Sequence, residues 1–276
     1  MTLKLMYITN EEKIAKIAEN NGVEWIFIDL EVNGKEERQG HLNSVISRHN
    51  IHDIKRIKQI LNKSEVLVRV NPIYEESEEE INKVIKEGAD IIMLPFFKTP
   101  EEVQTFIDYI DGRVKTCLLL ETVEAVENID SILNIEGIDY IHIGLNDLHL
   151  GYGMKFMFEL LANGTVEFLC NKIKGKGIIY GFGGIARIGH KVLPAENIIT
   201  EHYRLGSSMV ILSRSFCNST IDYHLGHVND LFHSGINEIR NFETTLEGQS
   251  DSYFIINKNI INEKISSIIN PVSSNF

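Results

Sequence analysis

The sequence has few of the patterns that mark secreted, membrane-spanning or zinc-binding proteins. Its 276 residues include only 3 cysteines, which are far apart and form no CxxC pair, so we expect no zinc site and a reducing, cytoplasmic compartment. The longest apolar run, residues 91–97, is far shorter than the roughly 18 residues that a membrane-spanning helix needs. Acidic Glu11 and Glu12 interrupt the beginning of the chain, so we expect no secretory signal.

Basic charge is also scarce. The chain has 27 lysines and arginines against 39 aspartates and glutamates, which gives a formal net charge of −12 at pH 7. Proteins that bind the phosphate backbone of nucleic acids need a basic face, so we expect no nucleic-acid partner. Glycine is absent from residues 8–11, directly after the first apolar run, where a dinucleotide-binding fold carries its glycine-rich turn. We therefore expect no NAD or FAD bound in that manner.

Eight apolar or β-branched runs are distributed along the chain, and they are near-continuous rather than alternating. They lie near residues 3–9, 25–30, 66–70, 90–97, 115–120, 138–144, 178–183 and 208–213. Such runs are typical of parallel strands that are buried on both faces. Most of the segments between them repeat apolar residues three or four positions apart, which predicts amphipathic helices.

Eight βα units favour a (β/α)8 TIM barrel over an open doubly wound sheet, which usually has about five or six strands. We therefore assign the chain to the α/β class, with one TIM-barrel domain over residues 1–245 and a C-terminal extension over residues 246–276. Glycine at the end of several helical segments, as in Glu87-Gly88, predicts a left-handed helix stop before the next strand.

Polar residues occupy the carboxyl ends of several predicted strands. They are Asp29 and Glu31 at the second strand, Arg69 and Asn71 at the third, Glu121 at the fifth, and Asn146 and Asp147 at the sixth. A single aspartate after a strand is most often a helix cap, but active sites of TIM barrels lie at this end, so we expect several of these side chains to converge.

The types of these residues predict the chemistry. Glu121 and Asp147 would provide the carboxylate oxygens that Mg²⁺ or Mn²⁺ accepts together with waters. The planar guanidinium of Arg69 suits a substrate carboxylate. Gly144 lets main-chain N–H groups approach a ligand oxygen, so we expect residues 144–146 (Gly144, Leu145 and Asn146) to contact the substrate. A metal beside an arginine predicts a site for a 2-oxo acid.

Four sequence segments are more specific than the single residues. They are VRVNP at 68–72, LP at 94–95 with TPEE at 99–102, ETVEAVENID at 121–130, and IGLNDL at 143–148. With them the chain, over about residues 3–216, resembles the HpcH/HpaI aldolase and citrate lyase β-subunit family. The resemblance implies that Glu121 and Asp147 hold a divalent metal, that Arg69 binds the carboxylate of pyruvate or oxaloacetate, and that the metal stabilises the enolate. It also implies homo-oligomers (dimers, trimers or hexamers) that exchange the last helix.

The end of the second strand departs from the pattern of that family. The aldolase branch has a compact Asp-x-Glu-His, whereas here a long polar segment separates Asp29 and Glu31 from His49. If that segment is an insertion, His49 takes the place of the family's base, and we expect the Asp29 carboxylate to fix its tautomer. His41 is the alternative base. Residues 35–38 partly match the lysine and arginine of the acyl-CoA lyase branch, so the branch stays open.

The leading hypothesis is a divalent-metal-dependent carbon–carbon lyase that forms or cleaves a bond next to the carbonyl of a 2-oxo acid, with an aldehyde as partner. One alternative is an acyl-CoA lyase of the malyl- or citramalyl-CoA type, and another is a non-catalytic barrel that serves in assembly. Arg187 follows the predicted seventh strand, where barrels often bind phosphate, so a phosphate or substrate tail there is a less favoured interpretation. The acidic run at residues 75–80 predicts only a solvated first helical turn.

Overall fold

The computed structural model describes residues 2–33, 49–189, 193–217 and 224–270, and its strands form a closed parallel barrel. The strands are β1 (Lys4–Ile8), β2 (Trp25–Asp29), β3 (Glu65–Arg69), β4 (Ile91–Leu94), β5 (Lys115–Leu120), β6 (Tyr140–Ile143), β7 (Ile179–Ile185) and β8 (Met209–Leu212). Each strand coincides with one of the eight apolar runs, so the predicted TIM barrel is confirmed.

Each strand pairs in parallel with the next strand in the chain, and β8 closes the barrel against β1, where Leu5 lies opposite Val210. The register of β7 with β8 shifts between Gly181 and Gly184. A Cβ atom at Gly181 would lie 2.0 Å from the carbonyl oxygen of Met209, so only glycine allows the two strands to approach this closely.

Two apolar layers stabilise the barrel. The side chains that fill its interior come from Met6, Trp25, Phe27, Leu67, Ile91, Met93, Cys117, Leu119, Tyr140 and Met209. Other apolar strand residues, such as Leu5, Ile26 and Val68, belong to a second, larger cluster together with residues of the helices. All five residues of β2 are buried. Burial on both faces explains why the strands read as continuous apolar runs in the sequence.

Helices surround the strands and connect most of them. The helices of the described residues are α1 (Glu12–Asn20), α2 (Ile51–Ile60), α3 (Ser77–Glu87), α4 (Pro100–Ile110), α5 (Val123–Glu127), α6 (Ile129–Ile132), α7 (Leu145–Gly151), α8 (Glu159–Ala162), α9 (Thr165–Gly175), α10 (Ala195–Leu205), α11 (Leu225–Leu246) and α12 (Asp251–Ile269). Helix α3 ends at Gly88 with φ of 104°, the left-handed stop that the sequence predicts.

The last helix, α12, lies in the predicted C-terminal extension and packs against α10. The side chain of Asn257 donates to the Asn197 carbonyl oxygen and to Oε1 of Glu201, at 3.0 Å each. Asn197 returns a hydrogen bond of 2.7 Å to Oδ1 of Asn257. These polar contacts fix α12 on its own barrel. None of the helices in the described ranges combines the length and the apolarity that crossing a bilayer requires.

Candidate active site

The site is built at the carboxyl ends of the strands, beginning with an arginine fork. Asp29 and Arg69 lie opposite each other in the β2–β3 ladder. Nε of Arg69 donates to Oδ1 of Asp29 at 2.9 Å, and Nη2 donates to Oδ2 at 2.8 Å. Nη1 lies 3.4 Å from Oε2 of Glu31. The two carboxylates, which are 2% and 1% exposed, therefore surround the guanidinium.

This arrangement keeps Arg69 charged. Burial by itself lowers the pKa of the guanidinium, but Asp29 and Glu31 outweigh it and raise the pKa above its ordinary value. The sequence predicts Arg69 as the ligand of a substrate carboxylate. Since two of its three nitrogens donate to Asp29, a substrate would share the remaining capacity of the fork with Glu31 or displace one carboxylate.

Glu121 follows β5 and is only 4% exposed. Its Oε1 accepts a hydrogen bond of 3.2 Å from the main-chain N–H of Phe96. Phe96 has φ of 49°, in the left-handed region that a bulky residue rarely adopts, and this conformation accompanies the contact of its N–H with the carboxylate. Burial first, and then the nearby Asp147, raise the pKa of Glu121 well above its ordinary value, although Arg69 opposes the shift.

Asp147 approaches Glu121 from the neighbouring strand. It lies in the first turn of α7, which follows β6, and is 7% exposed. Gly144, at the beginning of that helix, makes the approach possible, because a Cβ atom there would lie 2.7 Å from Oε2 of Glu121. The side chain of Leu145 is buried beside Gly183 of β7, so a contact of Leu145 with substrate would come from its main chain. Asn146 is exposed.

The residues present fit a divalent cation with hard oxygen ligands. Glu121 and Asp147 are buried carboxylates whose mutual repulsion a cation would relieve. Mg²⁺ and Mn²⁺ often take only one or two carboxylates from the protein and complete their coordination with water or substrate. Within the described ranges there is no group of three or more His, Cys, Asp or Glu residues that could hold a metal ion. Two protein ligands are therefore consistent with an open Mg²⁺ or Mn²⁺ site, and not with a structural site in which the protein supplies every ligand.

His49 reaches the end of β2, although not as the sequence predicts. Its Nδ1 accepts a hydrogen bond of 3.0 Å from the main-chain N–H of Asp29. The Asp29 carboxylate holds Arg69 instead. Because Nδ1 is an acceptor, the proton of the neutral ring lies on Nε2. The group of Asp29 that contacts Nδ1 is therefore its main-chain N–H, whereas the sequence analysis expects its carboxylate to fix the tautomer of the ring. His41 and residues 35–38 lie outside the described residues.

A further polar contact lies behind Glu31 and was missed by the sequence analysis. Asn71 accepts hydrogen bonds from the main-chain N–H groups of Val32 and Asn33, at 2.9 and 3.0 Å, and donates to Oε1 of Glu80 at 2.8 Å. The predicted solvated role of the acidic run is wrong for Glu80, whose burial raises its pKa. Its position four residues before apolar Val84 was the available signal, because this spacing places both residues on the inner side of α3.

Comparisons with known proteins agree with this architecture. The model of the HpcH/HpaI aldolase/citrate lyase family matches residues 4–157. An HpcH/HpaI aldolase from Desulfitobacterium hafniense DCB-2 is similar in structure, with a TM-score of 0.59 and 16% identity over 77% of this chain and 86% of that one. An HpcH/HpaI aldolase/citrate lyase family protein from Burkholderia cenocepacia J2315 has a TM-score of 0.58 and 14% identity, over 77% of this chain and 88% of that one. Citrate synthase SbnG has a TM-score of 0.58 and 16% identity, over 87% of this chain and 94% of that one.

At these identities the solved structures show the fold alone. No curated protein matches the chain significantly. The match to the family model, in contrast, covers more than half of the sequence and includes Asp29, Arg69, Glu121 and Asp147. The chain therefore belongs to the HpcH/HpaI aldolase/citrate lyase family.

Proposed function

We propose that the protein is a divalent-metal-dependent carbon–carbon lyase that acts on a 2-oxo acid such as pyruvate or oxaloacetate, and forms or cleaves the bond next to its carbonyl. The observation that carries the proposal is the pair of buried carboxylates, Glu121 and Asp147, at adjacent strand ends in the same mouth as Arg69. Membership of a family of aldolases and citrate lyases supports the reaction class.

The charges of the site support this reaction. A divalent cation held by Glu121 and Asp147 would supply positive charge where the enolate of the 2-oxo acid develops. Arg69 would orient the substrate by its carboxylate, using the donor capacity that Asp29 leaves. Four buried carboxylates, Asp29, Glu31, Glu121 and Asp147, lie in the half of the mouth that contains Arg69, so the charge of this half favours a cation before a substrate enters.

His49 is assigned a role from its tautomer. With Nδ1 occupied by the Asp29 N–H, Nε2 is the ring's donor, and His49 would stabilise negative charge on the reacting oxygen by a hydrogen bond. General-base catalysis, which the sequence predicts, requires the opposite tautomer. A glutamine at this position could still donate a hydrogen bond but could not take up a proton, so His49→Gln distinguishes the two roles.

The metal requirement can be tested directly. Purified protein is treated with chelator, assayed for pyruvate release from 4-hydroxy-2-oxo acids and from oxaloacetate, and assayed again after Mg²⁺ or Mn²⁺ is restored. Glu121→Gln and Asp147→Asn should lose cation binding in calorimetry and lose turnover. Asp130→Asn, which removes an exposed carboxylate that pairs with Lys172, is the matched control. Activity that survives thorough chelation would refute the proposal.

A further inference from the structure

A second cluster of donors lies at the ends of β7 and β8, apart from the carboxylates. Nε of Arg187 is buried and has no hydrogen-bond partner. Its side-chain stem packs against α11, where a Cβ atom at Gly235 would lie 3.1 Å from Cδ of Arg187 and 2.7 Å from the ring of Phe216. Among the described residues, no carboxylate or carbonyl accepts from its guanidinium. An arginine stays protonated, so a partly buried and unpaired one calls for an anion.

Two serine hydroxyls lie at the main chain of this arginine. The main-chain N–H of Arg187 donates to Oγ of Ser215 at 2.9 Å, and Oγ of Ser213 lies 2.9 Å from Oγ of Ser215. Oγ of Ser213 also accepts from the N–H of Ser215 at 3.3 Å. The two hydroxyls carry two hydrogens, and their mutual bond uses one of them. The other hydrogen has no acceptor within the part of the chain that the structure describes.

The cluster therefore offers a guanidinium and one hydroxyl hydrogen, while each hydroxyl oxygen already accepts from a main-chain N–H group. We propose that Arg187, Ser213 and Ser215 form a subsite for the anionic group, a carboxylate or a phosphate, of the second reactant. The inference rests on the proposed function for the identity of that reactant. The anion site itself rests only on the donors described above.

The cluster lies at the same end of the barrel as the carboxylates but at different strands, as a separate subsite would require. Ser213 extends the β7–β8 pairing, since its N–H donates to the carbonyl oxygen of Ile185 at 2.8 Å, so the subsite belongs to the same end of the barrel as Glu121 and Asp147. The metal ligands follow β5 and β6, while Asp29 and Arg69 end β2 and β3. The two halves of the mouth would thus serve two reactants, with the 2-oxo acid on the metal and the anionic tail of its partner on Arg187.

The first test measures anion binding without catalysis. Inorganic phosphate and acetate are titrated separately into chelator-treated protein by calorimetry, so that no metal contributes. We expect at least one anion to bind with one-to-one stoichiometry, and Arg187→Gln to weaken it by about tenfold or more, the loss typical of a charged hydrogen bond. Preference for phosphate or for acetate identifies the group. Lys83→Gln, which removes the same charge from an exposed ion pair with Glu79, should leave binding unchanged.

The second test concerns the reaction. With pyruvate and Mg²⁺, the acceptors are glyoxylate, glyceraldehyde 3-phosphate and uncharged glycolaldehyde. Arg187→Gln should raise KM at least tenfold for an anionic acceptor and leave it unchanged for glycolaldehyde. Absence of anion binding, or equal weakening in Arg187→Gln and Lys83→Gln, would overturn the subsite. An equal KM change for all acceptors would overturn its assignment to the second reactant. If no acceptor reacts, the proposed function fails and calorimetry alone decides the subsite.

Discussion

Gly144 and Glu121 are packed so closely that the side chain of one depends on the absence of a side chain in the other. A Cβ atom at Gly144 would lie 2.7 Å from Oε2 of Glu121 and 2.8 Å from its Cβ. Since Gly144 also begins the helix that carries Asp147, a single substitution there would displace both carboxylates of the proposed metal pair. The glycine is thus a requirement of the metal site rather than of a turn.

Gly144→Ala should therefore weaken Mn²⁺ binding at least tenfold and abolish most of the turnover. Overpacking of this kind costs about 1–3 kcal/mol, so the protein should still fold. Gly175→Ala is the control, because a Cβ atom there meets nothing within 4 Å. Calorimetry with Mn²⁺ and urea unfolding would measure both effects. Unchanged metal affinity in Gly144→Ala would argue against Glu121 as a ligand.

The buried carboxylate of Glu121 should make the metal-free protein less stable as the pH rises. Its pKa is held well above the ordinary value of 4.5 by burial and by Asp147, so the folded protein keeps a proton that the unfolded chain loses. The contribution is fully present below the unfolded pKa and is lost as the pH rises towards the folded one. Glutamine does not titrate, so Glu121→Gln lacks this loss of stability. In the presence of chelator, its free energy of unfolding should exceed that of the wild type by an amount that grows from pH 5 to pH 8. If the free energies of unfolding of the wild type and Glu121→Gln changed in parallel with pH, the raised pKa of Glu121 would be contradicted.

Arg69→Lys should separate orientation from charge. Lysine keeps the positive charge but loses the planar fork that two parallel hydrogen bonds to Asp29 hold in place. Because the substrate carboxylate would then lose an oriented donor, we expect binding of the 2-oxo acid to weaken by roughly 2 kcal/mol. Arg204→Lys is the matched control, because Arg204 is equally buried and donates to Glu167 and Glu201 outside the site. Both variants should lose stability in urea unfolding, but only Arg69→Lys should change KM. An unchanged KM in Arg69→Lys would refute its substrate role.

The sequence predicts the barrel well because its signal is local. β2 is buried on both faces, so its apolar run is continuous and the strand is visible without knowledge of its neighbours. The convergence of Asp29, Arg69, Glu121 and Asp147 also follows from one rule, that strand ends of a barrel meet. The partner of each side chain does not follow. That Asp29 occupies the Arg69 fork depends on the β2–β3 register, and the tautomer of His49 depends on a main-chain N–H.

The contact between Asn71 and Glu80 predicts a suppressor pair. Asn71→Asp keeps the acceptor for Val32 and Asn33 but replaces the 2.8 Å hydrogen bond to Glu80 by two facing carboxylates. It should reduce the free energy of unfolding and lower turnover, because repulsion from Glu80 would displace the side chain that accepts from Val32 and Asn33. Addition of Glu80→Gln restores a donor and should recover about 1–3 kcal/mol, the coupling expected of residues in one network. Additive losses in a double-mutant cycle would show that the contact has no energetic role.

The tautomer of His49 gives the most discriminating prediction. A ring whose Nδ1 accepts from the Asp29 N–H acts through its Nε2 hydrogen, and the amide of glutamine can supply a comparable donor but cannot take up a proton. His49→Gln should therefore keep a substantial part of the turnover, whereas His49→Ala should lower it by more than tenfold while Mn²⁺ still binds. If His49 were the general base, both variants would lose roughly 10²–10⁴-fold, and the acidic limb of the pH–rate profile would disappear with the imidazole. His52→Ala, at an exposed position in the first turn of α2, is the control for loss of a neighbouring histidine. Equal loss in His49→Gln and His49→Ala would restore the base assignment and require the opposite tautomer during catalysis.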